Sequence, residues 1–151
     1  MNKYMQLAKE EALKGMASNA GGPFGACIVK DGRVLAVAHN EVLSSLDPTA
    51  HAEIVAIRKA AKFLHMYDLS GAEIYATGYP CPMCLAAIIW SNIKTCYFSN
   101  SLDAAEKIGF RDDAIYRHLA GKEKALEIIC LDEGACLDLY EKYQSDNRTI
   151  Y

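Results

Sequence analysis

The sequence predicts an α/β fold in three layers, a mixed five-stranded sheet with helices on both of its faces. Three observations predict it. Helical and strand-like hydrophobic patterns alternate along the 151 residues, as they do where helices cover a sheet. Two apolar runs joined by Asp31-Gly32 signal an early antiparallel hairpin, so the sheet is mixed rather than wholly parallel. No repeat, low-complexity tract or linker breaks the alternation, and 151 residues suit one domain, 1–151, burying roughly 70% of the surface of the unfolded chain.

The elements follow in order. Asn2 to Ala17 reads as an amphipathic helix, with Met5, Ala8, Ala12 and Met16 on one stripe, ending at the Gly-rich break from Asn19 to Pro23. Phe24 to Lys30 and Arg33 to His39 form the hairpin strands. Asp47 is a candidate N-cap with Pro48 in the first turn, and Ala50, Ile54, Ile57, Ala61 and Leu64 continue at helical spacing. Glu73 to Thr77 is a strand leading through Gly78, Tyr79 and Pro80 into a helix from Pro82 to about Trp90. Thr95 to Ser99 is a fourth strand, Asp112 to Ala120 a helix, Leu126 to Leu131 a fifth strand, and Ala135 to Gln144 a last helix before a polar tail.

Composition narrows the function classes. A formal net charge of −3 argues against a large polyanionic partner, because nucleic-acid binders carry a basic footprint. The first eleven residues carry charges where a signal peptide needs an apolar run, and the longest apolar run, Met83 to Trp90, is too short for a bilayer span. A cytoplasmic, non-membrane protein is expected. In that reducing setting six cysteines imply no disulfide framework, and Cys27, Cys96, Cys130 and Cys136 read as small buried hydrophobes.

His51-Ala52-Glu53 and Pro80-Cys81-Pro82-Met83-Cys84 carry the chemistry. Two cysteines three apart at a helix start project to one side, and the helix N-terminus favours thiolate over thiol. With one imidazole they suit Zn²⁺, and three protein ligands leave a fourth position open for water, which marks a catalytic site rather than a structural one. His51 and Glu53 lie two apart and share no helix face, so they converge only off the helix end. There Glu53 is not a ligand but takes the water proton and returns it to the ring and the leaving amine. Cys-x-x-Cys alone also fits a redox pair or half of a structural zinc site. In this order with this His-x-Glu, it matches the signature of zinc nucleobase deaminases.

The chain resembles the cytidine deaminase superfamily and, within it, the bacterial guanine deaminases. Gly21 to Ala26, Asp47 to Glu53, Pro80 to Cys84 and Gly109 to Asp113 are similar to that family's blocks, in order. The resemblance implies zinc-dependent hydrolysis of guanine to xanthine and ammonia, a step of purine metabolism, in a small-molecule enzyme. By position Asn40 matches the base-binding amide, able to offer both a donor and an acceptor. Phe24 and Trp90 match aromatics lining the base pocket, and Asp112 a carboxylate near the substrate, although Asp112 or Asp113 also suits a helix cap. The family's C-terminal segment crosses to the partner subunit, where its last tyrosine closes the neighbour's pocket. Tyr151 after Arg148-Thr149-Ile150 implies the same exchange of 145–151 in a homodimer.

One departure stands out: relatives usually carry Glu before the Pro-Cys pair, and here Tyr79 takes that place. Three alternatives remain open at this stage. The ring is guanosine, ammeline or cytosine rather than guanine; the substrate is a tRNA adenosine; or the zinc is structural, with another cysteine such as Cys27 completing a four-ligand site.

Overall fold

The computed structural model describes residues 1–151. Its elements in chain order are α1 (Lys3–Ala17), β1 (Gly25–Lys30), β2 (Arg33–His39), α2 (Val42–Ser45), α3 (Ala52–Leu64), β3 (Ala72–Gly78), α4 (Pro82–Trp90), β4 (Thr95–Asn100), α5 (Leu102–Lys107), α6 (Asp112–Leu119) and α7 (Leu137–Ser145). Short helices α2 and α5 have no periodic signal in the sequence.

The Asn2 side chain starts α1 by accepting from the backbone N–H groups of Tyr4 at 2.8 Å and Met5 at 3.3 Å, satisfying two of the helix's orphan donors. The buried stripe is Ala8, Ala12 and Gly15, while Met16 is exposed. Small residues win that face because the helix lies directly on β1. A Cβ on Gly25 would stand 2.0 Å from the Ala8 carbonyl oxygen, an approach only glycine permits.

Asp31 (φ 51°) and Gly32 (φ 77°) both adopt left-handed backbone, as a two-residue primed turn requires. The resulting hairpin pairs β1 with β2, β1 also pairs antiparallel with β3, and β3 pairs parallel with β4 through the α4 crossover. The sheet is therefore mixed, in the order β2-β1-β3-β4. Alternate residues divide its two faces. Ala26, Ile28, Ala38 and Ile74 meet Val55, Ala56 and Ala60 of α3 and Ile88 of α4, whereas Cys27, Val29 and Tyr75 face Ala8 of α1. Helices thus cover both faces.

The sheet has four strands, not five. Leu126 to Leu131 forms no strand, and every residue from Leu119 to Tyr151 is exposed. An apolar run becomes a strand only by pairing with an edge, and this run meets none within its own chain. Cys130 and Cys136 on the same segment are exposed rather than buried, while Cys27 is buried and Cys96 half-buried. The start of α3 also differs from expectation. Asp47 does not cap it but accepts from the backbone N–H of Thr49 at 2.8 Å and its hydroxyl at 2.7 Å, an Asx-type turn. The cap position falls on His51.

Candidate active site

Two helix N-termini converge over one end of the sheet, and each brings a metal-binding side chain at its N-cap. His51 precedes α3 with extended backbone (φ −66°, ψ 155°), and Cys81 precedes α4 in nearly the same conformation (φ −66°, ψ 166°). Neither cap position uses its side chain to satisfy the helix, so both side chains remain available. Pro82 fits the first turn of α4, where its missing N–H is no loss, and Cys84 follows one turn into the helix, fully buried.

The ligand atoms are gathered closely. His51 Nδ1 lies 3.6 Å from Cys81 Sγ and 3.6 Å from Cys84 Sγ, and all three donor atoms fall within 4.8 Å of one another. Tetrahedral zinc with Zn–N of about 2.0–2.1 Å and Zn–S of about 2.3 Å sets N···S at roughly 3.6 Å, so the donor set fits this metal. Cys27 does not join it, because that residue packs with Ala8, Val29 and Tyr75 on the opposite face of the sheet. No other cysteine joins the three donors, so the structural reading with a fourth cysteine ligand has no support.

The electrostatics suit a cation. The Cys84 thiol hydrogen-bonds the Cys81 sulfur, which draws Cys81 far below the ordinary thiol range, to about 4, and pushes Cys84 up. The hydrogen bond to Cys81 also raises His51. Glu53, in the first turn of α3 and only 8% exposed, has its carboxyl raised, first by burial. A carboxyl so raised holds a proton more readily, which suits a group that must accept one and later give it up.

A cavity of about 30 Å³ adjoins these residues, with Phe24, Asn40, Tyr79, Phe110 and Asp112 completing its wall. Asn40 is 3% exposed, and its side-chain oxygen accepts from the backbone N–H of Gly22 at 3.2 Å and of Val42 at 3.1 Å. Both lone pairs of that oxygen are engaged, so only the amide N–H₂ can serve a ligand; the expectation of a donor and an acceptor is narrowed to a donor. Phe24 meets Phe110 edge to face, centroids 4.7 Å apart at 81°. The pair is seated by glycines, since a Cβ on Gly22 would stand 2.8 Å from Phe110 and one on Gly78 3.3 Å from Phe24. Asp112 opens α6 behind the N-cap Arg111, whose side chain makes no cap bond; burial raises the Asp112 carboxyl.

Two expected residues lie elsewhere in this chain. Trp90 ends α4, roughly 12 Å along the axis from its start at 1.5 Å per residue, and is 68% exposed. Tyr151, 76% exposed, packs beside it with ring centroids 6.3 Å apart, and also beside Tyr67 at 6.3 Å. Neither lines its own chain's cavity. Phe110 lines the cavity and Tyr116 packs against its wall residue Tyr79; the sequence by itself marks neither as a site residue. The signal for Phe110 was Gly109, whose φ of +97° turns the chain back toward Phe24.

Three donors of this kind beside a buried carboxylate define a zinc-dependent hydrolase. The chain belongs to the cytidine and deoxycytidylate deaminases, whose zinc-binding region matches residues 1–100. It is 44% identical over 116 residues to the guanine deaminase of Bacillus subtilis (strain 168), covering 77% of this chain and 74% of that protein. The X-ray structure of guanine deaminase from Bacillus subtilis superposes with a TM-score of 0.92 at 36% identity, over 100% of this chain and 99% of the other. A structure from studies of A-to-I editing by tRNA:A34 deaminases reaches a TM-score of 0.63 at 41% identity, over 65% of this chain and 70% of that one. The protein is thus a homologue of guanine deaminase, and Zn²⁺ is its metal.

Proposed function

We propose that the protein hydrolyses guanine to xanthine and ammonia in purine catabolism or salvage, as a cytoplasmic homodimer with exchanged C-terminal segments. The observation that carries the substrate reading is the donor-only amide of Asn40 in one cavity with the carboxylate of Asp112. The amide suits a ring acceptor such as O6 or N7 of guanine, and the carboxylate suits its N–H-rich edge. Similarity to a guanine deaminase over the whole chain supports the same choice. Six free cysteines, two of them needed reduced as ligands, suit a reducing compartment.

His51, Cys81 and Cys84 would hold zinc, which when bound would supply Lewis acidity and lower the pKa of water to about 7. The chain's own residues do the rest. Glu53 accepts a proton from the water as its oxygen adds to C2, and passes it to ring N3. The second water proton follows through Glu53 to the departing amine, so the ring gains a carbonyl and loses ammonia. Phe24 and Phe110 give the flat ring apolar faces. The cavity is smaller than a purine, so admitting one requires its wall to open.

Ammonia release by the zinc-loaded enzyme from guanine, guanosine, adenosine, cytosine and ammeline tests this reading. Guanine should exceed the others by roughly 10²-fold in kcat/KM, because a ring that leaves the buried Asn40 amide unpaired strands a polar group. Inosine formation in a tRNA anticodon loop, with no turnover of guanine, would overturn it.

The exchanged dimer rests on what the chain leaves uncovered. Leu126, Ile128, Ile129 and Leu131 are all exposed, β4 stands at the sheet edge, and apolar surface of this kind calls for a partner. Trp90 and Tyr151 lie together outside their own cavity, which leaves them free to reach a neighbour's. Removing Arg148 to Tyr151 should lower kcat/KM by roughly two- to tenfold, the worth of one aromatic contact, with zinc content unchanged. Unaltered turnover and unaltered substrate preference would take Tyr151 out of the site.

A further inference from the structure

We propose that Tyr116 is a positioning residue for the substrate side of the pocket, a role that rests on the deaminase reading above. Its hydroxyl donates to the Pro80 carbonyl at 2.8 Å, across 36 residues of sequence. Pro80 is fully buried, and that carbonyl belongs to the peptide immediately before the ligand Cys81. The acceptor is therefore among the most firmly held atoms of the metal loop.

The rest of α6 has no comparable tether. Arg117 pairs with Asp113 and Glu123, and His118 bonds to the backbone of Glu123 and Ala125, all within the same stretch of chain. The N-cap Arg111, next to Asp112, makes no side-chain cap bond that would fix the start of the helix. Residues four apart share a helix face, so the Tyr116 bond sets the height and rotation of the face that presents Asp112 to the cavity. The Tyr116 ring also lies beside Tyr79 of the cavity wall, centroids 6.2 Å apart, and Tyr79 stands edge-on to Phe98 at 5.0 Å. A chain of rings thus braces the wall from β4 to α6, and one hydrogen bond locks its far end to the metal loop.

The test uses full-length, zinc-loaded protein carrying Tyr116→Phe, which keeps the ring and deletes the bond, together with Asp112→Asn and the double variant. Tyr116→Phe should lower kcat/KM for guanine about five- to tenfold, chiefly through KM, with zinc content and Glu53-dependent chemistry unchanged. In the Asp112→Asn background the same change should cost less than about twofold, because the residue being positioned is already lost. Amide hydrogen exchange across residues 111–119 should accelerate about five- to tenfold while α1 and α4 keep wild-type rates. Equal losses in both backgrounds, loss of zinc, or unchanged exchange in α6 would overturn the proposal. The exchange measurement needs no substrate, so it decides the role of Tyr116 even if guanine proves not to be turned over.

Discussion

Replacing Glu53 by glutamine is expected to lower kcat for guanine by about 10²- to 10⁴-fold, the usual worth of a positioned general acid and base, while zinc stays bound. Glutamine matches the shape of glutamate and can still hydrogen-bond, but it neither takes up nor releases a proton at neutral pH. Glu53 sits two residues from His51, in the first turn of α3, where the helix end rather than a helix face brings both toward the cavity. Its burial raises the carboxyl, so the lost function is proton transfer and not a surface charge. Ammonia release measured beside metal content decides the matter. A variant with full zinc and a kcat within a few-fold of wild type would remove Glu53 from the chemistry.

Loss of the metal is the second large effect. Cys84→Ser should bind zinc poorly, and both this variant and the chelator-stripped wild type should show no turnover. Their melting temperature should also fall. A ligand present at 100 to 1,000 times its Kd stabilises by about 2.7 to 4.1 kcal/mol, which for a chain of this size is roughly 5–15 °C. The reason lies in the donor set. Without a cation, two buried thiols and an imidazole must share protons at 3.6 Å separations, whereas the metal binds the deprotonated forms and relieves that crowding. Restoring zinc to the stripped wild type should return both activity and melting temperature. Turnover that persists with zinc gone would contradict the assignment of His51, Cys81 and Cys84.

These two effects concern residues that the sequence alone marks out. His51, Glu53, Cys81 and Cys84 are legible there because metal chemistry demands particular residue types at close spacing, and local helix geometry then does most of the positioning. The hairpin is legible for a similar reason, since Asp31-Gly32 must supply two left-handed residues in a row and both do. Local demands of this kind survive folding unchanged. The cap of α3 shows the limit, because local rules favour Asp47 and only the assembled loop places the cap position at His51.

The other cavity residues were not legible in the same way. That Asn40 presents a donor and no acceptor depends on two backbone N–H groups from Gly22 and Val42, one of them 18 residues away. The Phe24–Phe110 pair and the Tyr116–Pro80 bond join segments 86 and 36 residues apart, by position and by measurement, and no periodicity announces them. The fifth strand failed for the same physical reason in reverse. Leu126 to Leu131 has the apolar content of a strand, but pairing needs an edge, and whether one is within reach is a property of the fold and not of the segment.

By itself, then, the sequence determined a metal-dependent hydrolase on a helix-covered sheet, because ligand type, turn chemistry and hydrophobic period are written in neighbouring residues. Only the tertiary structure decided which groups line the cavity, which hydrogen bonds they have already spent, and that Trp90, Tyr151 and the apolar tail lie outside their own chain's pocket. Those are consequences of contacts between distant segments, and such contacts exist only once the chain has folded.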